Sequence, residues 1–379
     1  MAAAVAYNPV EEMDLDEFQD ALADPLWRIS NLYYIVKKDD EDDEDSEGKV
    51  VKFKPNRAQR RLIRRLWYRN IIPKARQLGI TTFACILALD YCLFSNNFQA
   101  GIIAHKEQDA KKIFRGKVKF AYDRLPESLK ALRPLTKETA EELEFNNGSS
   151  IVVSTSMRSG TVDFLHVSEY GKICAWFPKR ANEIVTGSLP SVHAKGIVMI
   201  ESTAEGRSGD FYSKTMRAQA NADSGKKLTK KDYRIHFFPW YEGPEYRMDP
   251  TGVIVTPEDH EYFDELEAKL DITLDPRQRA WYCATRDEDF SGDQEKMWQE
   301  YPSTVDECFQ VSNEGCYYHK QFATARKQRR LRPSVPVIMS EPCWTFWDIG
   351  NSDGTAIWVI QKVGPVSYTH LTLPTICSV

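Results

Sequence analysis

The feature that most constrains the fold is a regular alternation of strand and helix patterns over residues 56–256 of this 379-residue chain. Short apolar segments such as AGIIAH and KGIVMIEST alternate with helical ones, among them a stretch from Thr82 to Phe94 that is apolar almost all round. This alternation is typical of a largely parallel sheet covered by helices, which binds ligands at the carboxyl ends of its strands. The sequence therefore predicts an α/β fold.

Other segments flank this α/β region on both sides. Residues 1–55 predict a helix followed by a β-hairpin, whose tip is an acidic run at residues 39–47. Residues 257–340 are helical and charged, as in a linker or small subdomain, and residues 341–365 begin a second β domain. The uncharged residues 366–379 (VSYTHLTLPTICSV) predict a non-native tail, the alternative being a genuine short β tail.

Charge is segregated along the chain, although the formal net charge is only −5. Residues 39–47 hold eight acids, whereas the segment from Lys49 to Arg76 holds eleven Lys or Arg residues and no acid. Because blocks of like charge repel and stay solvated, we expect the acidic run to be a mobile loop inserted at the hairpin tip. The basic segment, by contrast, indicates an anionic partner.

Neither a membrane span nor a disulfide or zinc framework is expected. No apolar run approaches the ~20 residues that a membrane span needs, and the N-terminus lacks the pattern of a secretory signal. The eight cysteines show no C-x-x-C spacing and no cluster with histidines. We therefore expect an intracellular protein with reduced cysteines.

The segment KARQLGITT follows a short strand and precedes the apolar helix, where a phosphate-binding loop stands in many ATPases. Aligning Gly79 and Thr81 with the end of G-x-x-x-x-G-K-[ST] puts Lys74 at the first glycine and Ile80 at the usual lysine. Lys74 could still reach phosphates from the start of the loop, with Arg76 adding charge. The alternative is an ordinary strand-to-helix turn with solvated bases.

Two later strands end in residues suited to the same site. Glu169 follows VDFLHVS, where P-loop ATPases place an acidic pair that orients Mg²⁺ and the attacking water, but Ser168 precedes it here. Another strand ends in Glu201, Ser202 and Thr203, which suit a hydroxyl sensor of the γ-phosphate. The order and spacing of these strand ends favour a nucleotide site over core packing.

Eight segments between residues 25 and 362 follow the order of one known family: LWRISNLYYIV, KPNRAQRRL, KARQLGITT, IIAHKEQDAKKIF, TSMRSGTVDFLHVSEYGKI, ESTAEG, EYPSTVDECFQ and FWDIGNSDGTA. The chain resembles the large terminase subunit of tailed double-stranded DNA bacteriophages, the ATPase of a genome-packaging motor. The resemblance implies a P-loop ATPase domain of the ASCE type over residues 56–256. It also implies that an RNase H-like nuclease domain begins at residues 341–365 and is truncated at its C-terminal end.

The resemblance implies a binding site for ATP and Mg²⁺. The implied ATP-binding residues are Gln59, Lys74, Ala75, Arg76, Gln77, Leu78, Gly79, Ile80, Thr81 and Thr82. Gln59 stands where the family recognises adenine, and an amide suits the adenine edge because it both donates and accepts hydrogen bonds. Thr81, Ser168 and Glu169 would hold Mg²⁺.

Catalytic and coupling roles are implied in the same way. Glu169 would activate water, while Lys74 and Arg76 would stabilise charge on the γ-phosphate. Ser202 and Thr203 match the family's coupling motif. In the nuclease, Asp348 matches the first metal-binding carboxylate, in a two-metal site that needs further carboxylates beyond this chain. Arg158 matches a family position without an assigned role.

The function implied by the resemblance is ATP-driven packaging of viral double-stranded DNA into a procapsid, and cleavage of concatemeric DNA by the full-length protein. The implied partners are double-stranded DNA, a small terminase subunit and a portal protein on which the chain forms a homo-oligomeric ring in the host cytoplasm. Two basic runs are candidates for gripping DNA phosphates, or are solvated helix faces. They are Arg60, Arg61, Arg64 and Arg65, and Lys327, Arg329, Arg330 and Arg332.

Two other function classes stay open on the sequence alone. A helicase-like ATPase would share the chemistry of the site but would append a second ATPase-like lobe where this chain has the strand that ends in Asp348. A non-catalytic assembly component would explain Ser168 in the acidic pair and Ile80 at the usual lysine. An ATPase assay with and without DNA separates this last class from the others.

Overall fold

The computed structural model describes residues 15–37, 48–157, 160–310, 324–325, 328, 330, 337–348, 356–363 and 366–371. The acidic run at residues 39–47, Arg158 and most of the basic run at residues 327–332 lie outside the described residues. The chain divides into two compact units, Met1–Ser312 and Asn313–Val379.

The first unit opens with two short helices and a two-stranded sheet. Helix α1 (Leu15–Ala23) is followed by α2 (Pro25–Asn31), which Asp24 caps by accepting a hydrogen bond from the Leu26 amide. Strands β1 (Tyr34–Lys37) and β2 (Lys49–Lys52) then pair antiparallel, so the two strands predicted on either side of the acidic run do meet.

The α/β region follows. Its elements are α3 (Arg57–Arg64), β3 (Arg69–Pro73), α4 (Ile80–Phe94), β4 (Gln99–Ile103), α5 (Glu107–Ile113), a π-helical turn (Phe114–Lys119), α6 (Phe120–Asp123), α7 (Glu127–Leu132), β5 (Leu135–Glu138), β6 (Glu142–Phe145), β7 (Ser150–Ser154), β8 (Val162–Ser168), α8 (Tyr170–Trp176), α9 (Pro178–Glu183), a second π-helical turn (Ile184–Ser188), α10 (Leu189–Ser191), β9 (Val192–Ser202), α11 (Gly209–Asp223), β10 (Arg234–Ile235) and a 3₁₀ turn (Trp240–Glu242).

These strands form one eight-stranded sheet in the order β10-β3-β9-β8-β4-β7-β6-β5. Neighbouring strands from β10 to β7 run parallel, whereas β6 pairs antiparallel with β7 and β5 pairs antiparallel with β6. The Asn147-Gly148 turn joins β6 to β7 in the predicted hairpin. The predicted α/β class, with a mainly parallel sheet covered by helices, is confirmed.

Helices bury both faces of the sheet. Successive residues of a strand point to opposite faces, so neighbouring residues pack into different clusters. Ile72 and Ile102 belong to one hydrophobic cluster, which includes most of α4, while their neighbours Ile71 and Ile103 belong to a second cluster with α8 and α11. Helix α4 is buried along most of its length, as its apolar sequence predicts. The helix that follows the candidate phosphate loop is therefore fixed within the core.

Four further helices complete the first unit. They are α12 (Pro257–Leu270), α13 (Pro276–Ala284), which continues into a π-helical turn (Thr285–Asp289), α14 (Gln294–Glu300) and α15 (Val305–Cys308). Phe263, Tyr282 and Met297 are fully buried in the same cluster as α4. The helical part of the segment predicted as a linker therefore shares the core of the α/β region up to α15.

The second unit contains an antiparallel three-stranded sheet of β11 (Cys343–Asp348), β12 (Ala356–Val363) and β13 (Val366–Leu371). Asp348 ends β11 and pairs with Ala356 at the start of β12. Strand β13 lies in the segment predicted as a non-native tail. The RNase H-like identity of this unit and the origin of the tail stay predictions.

A buried ion pair ties the N-terminal helices to α4. Arg28 Nε and Nη2 donate to the two carboxylate oxygens of Asp90 at 2.9 and 2.7 Å, and the Tyr33 hydroxyl donates to Asp90 Oδ1 at 2.8 Å. The Arg28 and Asp90 side chains are only 8% and 0% exposed. Removing the guanidinium would leave a buried carboxylate without its counter-charge.

We expect Arg28→Ala to lower the free energy of unfolding by about 3–5 kcal/mol, because a buried charge loses its partner. Denaturant unfolding followed by circular dichroism measures this loss. Arg64→Ala, at an exposed position of α3, is the control and should change the free energy by about 0.5 kcal/mol or less. A loss under about 1 kcal/mol for Arg28→Ala, the usual worth of a surface pair, would contradict this expectation.

Candidate active site

The candidate phosphate loop connects the end of β3 to the first residue of α4, and its backbone is bent at two positions. Gln77 and Gly79 have φ angles of 62° and 65°, in the left-handed region that glycine tolerates best. A Cβ at Gly79 would also lie 2.8 Å from Gln59 Nε2, so no larger residue fits there without a shift. The loop therefore delivers the chain directly into the first turn of α4.

The first turn of α4 has the properties of an anion site. The first N–H groups of a helix have no partner within the helix, and its aligned peptide dipoles put partial positive charge at that end. Thr81 and Thr82 stand in this turn, and α4 is 15 residues long. A phosphate group is a natural ligand for such a position.

Neighbouring elements hold the loop through its backbone. The Lys74 amide donates to Ser202 O at 3.3 Å, and the Ala75 amide donates to Phe238 O at 2.9 Å. The Arg76 amide donates to Glu300 O at 2.9 Å, and Arg76 Nη1 lies 3.4 Å from Glu300 Oε2. Backbone hydrogen bonds to β9, to the segment after β10 and to α14 thus hold the loop in place. The guanidinium of Arg76 forms an ion pair with Glu300 of α14.

Lys74 lies between two carboxylates that follow different strands. Its Nζ is 3.2 Å from Glu201 Oε2 and 3.6 Å from Glu169 Oε1. The Lys74 side chain is 7% exposed and the Glu201 side chain is fully buried, whereas Glu169 is 22% exposed. The sequence assigns Lys74 and Glu169 to one nucleotide site in separate roles, and it does not indicate the central place of Glu201.

Lys74 and Glu201 keep each other charged, although burial alone would favour the neutral form of both. Burial alone would lower the pKa of Lys74, but the carboxylates of Glu201 and Glu169 outweigh it and hold that pKa above its ordinary value. Burial alone would likewise raise the pKa of Glu201, but Lys74, His166 and Thr81 bring it well below its ordinary value. The site therefore holds an ammonium and a carboxylate, both charged, inside the protein.

Hydroxyl groups surround the same carboxylate. Thr81 Oγ1 and Ser168 Oγ each donate to Glu201 Oε1 at 2.8 Å, and the two hydroxyl oxygens lie 3.4 Å apart. His166 Nε2 lies 3.4 Å from the same Glu201 oxygen. Four elements thus converge at this point: the loop, α4, β8 and β9.

Glu169 is held in an unusual backbone conformation at the end of β8. Its φ of 55° lies in the left-handed region, which costs a residue with a Cβ of the order of 1 kcal/mol. Its carboxylate lies 3.2 Å from Lys172 Nζ as well as 3.6 Å from Lys74 Nζ. Strain of this kind concentrates at functional positions, and here it directs the carboxylate toward the phosphate loop.

A third lysine reaches the first turn of α4. Lys117 Nζ, on the first π-helical turn, donates to Thr82 Oγ1 at 2.8 Å. Lys117 is not predictable from the sequence, because nothing in the helical pattern of residues 107–124 marks which lysine faces the loop. Its ammonium places a further positive charge beside the candidate phosphate site.

Gln59 contacts the loop, but its amide is already engaged. Its Oε1 accepts from the Asn56 amide at 3.0 Å in the capping box of α3, and its Nε2 donates to Gly79 O at 3.0 Å and to Leu78 O at 3.3 Å. The predicted recognition of adenine by Gln59 stays a prediction. It would require at least one of these hydrogen bonds to be exchanged.

A small pocket that opens to solvent borders Leu78. It is bordered by the start of α3 and by the segment after β10, and its lining includes Phe238 and Pro239 as apolar surfaces and Glu242 as an acceptor. Arg61 stacks over the Phe238 ring at 4.6 Å and pairs with Glu242 at 2.7 Å. Phe238 is fully buried with the Arg61 guanidinium over its ring, so the pocket borders the loop at Leu78 without an exposed aromatic face.

The predicted coupling residues are buried at the end of β9. Ser202 and Thr203 are 0% and 1% exposed, and their hydroxyl oxygens have no hydrogen-bond partner among the described residues. Ser202 also accepts the Lys74 amide through its carbonyl oxygen. The Ser202 hydroxyl lies against Gly171 of α8, and the coupling role of Ser202 and Thr203 stays a prediction.

The described parts of the chain contain no group of three or more His, Cys, Asp or Glu side chains arranged to hold a metal ion. The site nevertheless suits Mg²⁺ bound together with phosphates, since this ion takes oxygen ligands and usually needs only one or two carboxylates from the protein. Thr81, Ser168, Glu169 and Glu201 supply hydroxyl and carboxylate oxygens here. None of the helices in the described ranges is both long and apolar enough to cross a membrane.

Comparison with known proteins gives structural neighbours only. No protein-family description matches the sequence, and no curated protein matches it. The large terminase ATPase domain of Thermus phage P74-26 is 17% identical, with a TM-score of 0.41, covering 66% of this chain and 94% of that one. The large terminase of a thermophilic bacteriophage is 10% identical, with a TM-score of 0.33, covering 84% of this chain and 68% of that one.

A second structure of that thermophilic phage protein, in complex with ATP-γ-S, is also 10% identical and has a TM-score of 0.35. At TM-scores of 0.33 to 0.41, these likenesses carry no argument about what this chain does.

Proposed function

We propose that this chain is an ATPase whose site lies at the carboxyl ends of β3, β8 and β9. The observation that carries the proposal is the convergence of Lys74, Glu169 and Thr81 around the first turn of α4. An ordinary strand-to-helix turn with solvated bases would not bury a lysine between two carboxylates. The phosphates of ATP would bind the helix N-terminus and draw Lys74 toward them.

The proposed roles follow from the position of each side chain. Glu169, exposed enough to meet a water molecule, would accept its proton during attack on the γ-phosphate. Lys74 would stabilise the charge that develops on the phosphate oxygens, with Lys117 beside Thr82 and Arg76 on the α14 side adding positive charge. Mg²⁺, when bound, would neutralise phosphate charge, and the oxygens of Thr81, Ser168 and Glu169 are the groups suited to hold it.

The adenine base would lie in the pocket beside Leu78. Leu78 of the phosphate loop lines this pocket, and Gln59 Nε2 donates to the Leu78 carbonyl at 3.3 Å. Hydrolysis would be transmitted through Ser202 and Thr203, because the Ser202 carbonyl already accepts the Lys74 amide. A movement of the Lys74 backbone toward phosphate would therefore displace the end of β9, because the Lys74 amide is hydrogen-bonded to Ser202.

We further propose that hydrolysis drives double-stranded DNA into a procapsid, as the eight-segment resemblance to large terminases implies. The partners would be a small terminase subunit and a portal protein, with several copies of this chain in a ring. Arg60, Arg64 and Arg65 of the α3 region are partly or fully exposed and could contact DNA phosphates. Asp348, at the end of β11, would be one of several metal-binding carboxylates of a nuclease site.

Linear duplex DNA that carries a triplex-forming third strand tests this function. We expect ATP hydrolysis that duplex DNA stimulates, displacement of the third strand, and a duplex that stays paired, with the stimulation weakening as salt rises. Separation of the duplex strands would instead support a helicase. Absence of Mg²⁺-dependent ATP turnover, with and without DNA, would support a non-catalytic assembly component.

A further inference from the structure

Glu201 stands beside the position where the sequence lacks an expected acid. P-loop ATPases hold Mg²⁺ with a loop Ser or Thr and an Asp at the end of a neighbouring strand, but this chain has Ser168 before Glu169. In the sheet, Ser168 of β8 and Glu201 of β9 are directly paired in register. Residues paired across neighbouring strands point to the same face, so a carboxylate at 201 reaches the space that one at 168 would occupy.

The contacts of Glu201 are those of a group that orients metal ligands. One of its oxygens accepts the hydroxyl hydrogens of both Thr81 and Ser168 at 2.8 Å. A hydroxyl that donates its only hydrogen keeps its lone pairs as acceptors, and these are what a cation binds. Glu201 therefore fixes two hydroxyl oxygens as ligands rather than as donors.

The second carboxylate oxygen of Glu201 faces the ammonium of Lys74. Within the described ranges, Glu201 Oε2 is buried and makes no hydrogen bond, although Lys74 Nζ lies 3.2 Å away as an ion-pair partner. A fully buried carboxylate without a binding role is costly, and replacing it by an apolar side chain is often neutral or stabilising. Its presence at the centre of the site is explained if a cation and its ligands depend on it.

We propose that Glu201 is the positioning residue of the Mg²⁺ site and supplies, from β9, the carboxylate that Ser168 does not supply from β8. It orients the hydroxyls of Thr81 and Ser168 toward the ion and contributes the negative charge. This proposal rests on the proposed ATPase function. It adds Glu201 to Thr81, Ser168 and Glu169, the residues that the family resemblance assigns to Mg²⁺.

Mg²⁺-dependent nucleotide binding tests the proposal without measuring turnover. The dissociation constant of a fluorescent ATP analogue is measured by anisotropy with saturating Mg²⁺ and with EDTA, and the ratio of the two values reports the contribution of the metal. Mn²⁺ bound to the protein–nucleotide complex, counted by electron paramagnetic resonance, gives the affinity of the ion itself. For Glu201→Gln we expect metal affinity to fall about 10- to 100-fold, as when the partners of metal ligands are removed.

The compensating variant Ser168→Asp in the Glu201→Gln background should restore most of the lost metal affinity. Asp259→Asn, which removes another buried carboxylate, paired with Arg286 in a helix contact of its own, is the matched control and should leave the Mg²⁺-to-EDTA ratio unchanged. Thermal unfolding of each variant confirms that it is folded. If Glu201→Gln does not fold, the variant Glu201→Asp is used instead. It withdraws the carboxylate by one methylene and should still lower the affinity for the metal ion.

Two results would overturn the proposal: a wild-type Mg²⁺-to-EDTA ratio in folded Glu201→Gln, or a folded Ser168→Asp/Glu201→Gln protein without recovered metal affinity. Both presuppose that the unmodified chain binds the analogue more tightly with Mg²⁺. Failure of the unmodified chain to bind it at all would instead remove the proposed ATPase function, so the two failures are distinguishable.

Discussion

Glu169→Gln will leave ATP binding intact and lower ATP turnover by about 10²- to 10⁴-fold, the usual contribution of a general base. The amide has the size of the carboxylate, so the backbone bend at φ 55° and the packing of β8 are retained. What is lost is the ability to accept a proton from water. The fully buried Glu201 does not replace it, because its oxygens are engaged with Lys74, Thr81 and Ser168.

Single-turnover hydrolysis, together with a direct binding measurement, separates the two quantities. The matched control is Glu205→Gln, since Glu205 is a nearby carboxylate that burial holds above its ordinary pKa but that makes no ion pair with Lys74 in the described residues. That variant should keep turnover within about threefold of the unmodified protein, less than 1 kcal/mol in the barrier. Unchanged turnover in Glu169→Gln would show that another group activates the water.

The architecture of the sheet was predictable because apolar residues follow different patterns in the strands and in the helices of this sequence. Strands buried on both faces read as continuous apolar runs, and α4 reads as apolar all round, so their alternation predicted the parallel sheet. The order of the strands was not predictable in the same way. Strand β9 inserts between β3 and β8, and that placement depends on packing between segments more than a hundred residues apart.

The site was partly predictable for a related reason. Lys74 and Glu169 each stand at a strand end, and strand ends of one parallel sheet meet at one edge, so their proximity follows from the sequence pattern. The sequence marks Glu201 only as part of a strand end. Its pairing with Ser168 depends on β8 and β9 being neighbours in register, which the sequence pattern does not show. Lys117 reaches Thr82 from a π-helical turn, and no sequence period marks that turn.

The ion-pair partner of Arg76 is another contact that the sequence pattern does not predict, because it lies far along the chain. The family resemblance implies a role for Arg76 on the γ-phosphate, whereas in the structure its guanidinium pairs with Glu300 of α14, more than two hundred residues further along the chain. Its side chain is 50% exposed, so the pair is weakly held and a phosphate could replace the carboxylate. The catalytic role of Arg76 stays a prediction, and α14 is the element that would respond if Arg76 moved.

Lys74→Ala will have two separable effects, one on nucleotide binding and one on stability. Loss of the ammonium should weaken ATP binding about 10- to 100-fold, the worth of a hydrogen bond to a charged group. It should also lower the free energy of unfolding by about 3–5 kcal/mol, because Glu201 is left buried without its counter-charge. Fluorescence anisotropy of a bound ATP analogue and denaturant unfolding measure the two effects independently.

The double variant Lys74→Ala/Glu201→Gln distinguishes a binding defect from a folding defect. Replacing the carboxylate by an amide removes the unpaired buried charge, so most of the lost stability should return, while nucleotide affinity should stay low because no ammonium reaches the phosphates. Lys179→Ala, at an exposed position of α9, should change neither quantity. If the double variant recovered both stability and affinity, Lys74 would serve the fold alone, and Lys117 or Arg76 would have to supply the positive charge that phosphate needs.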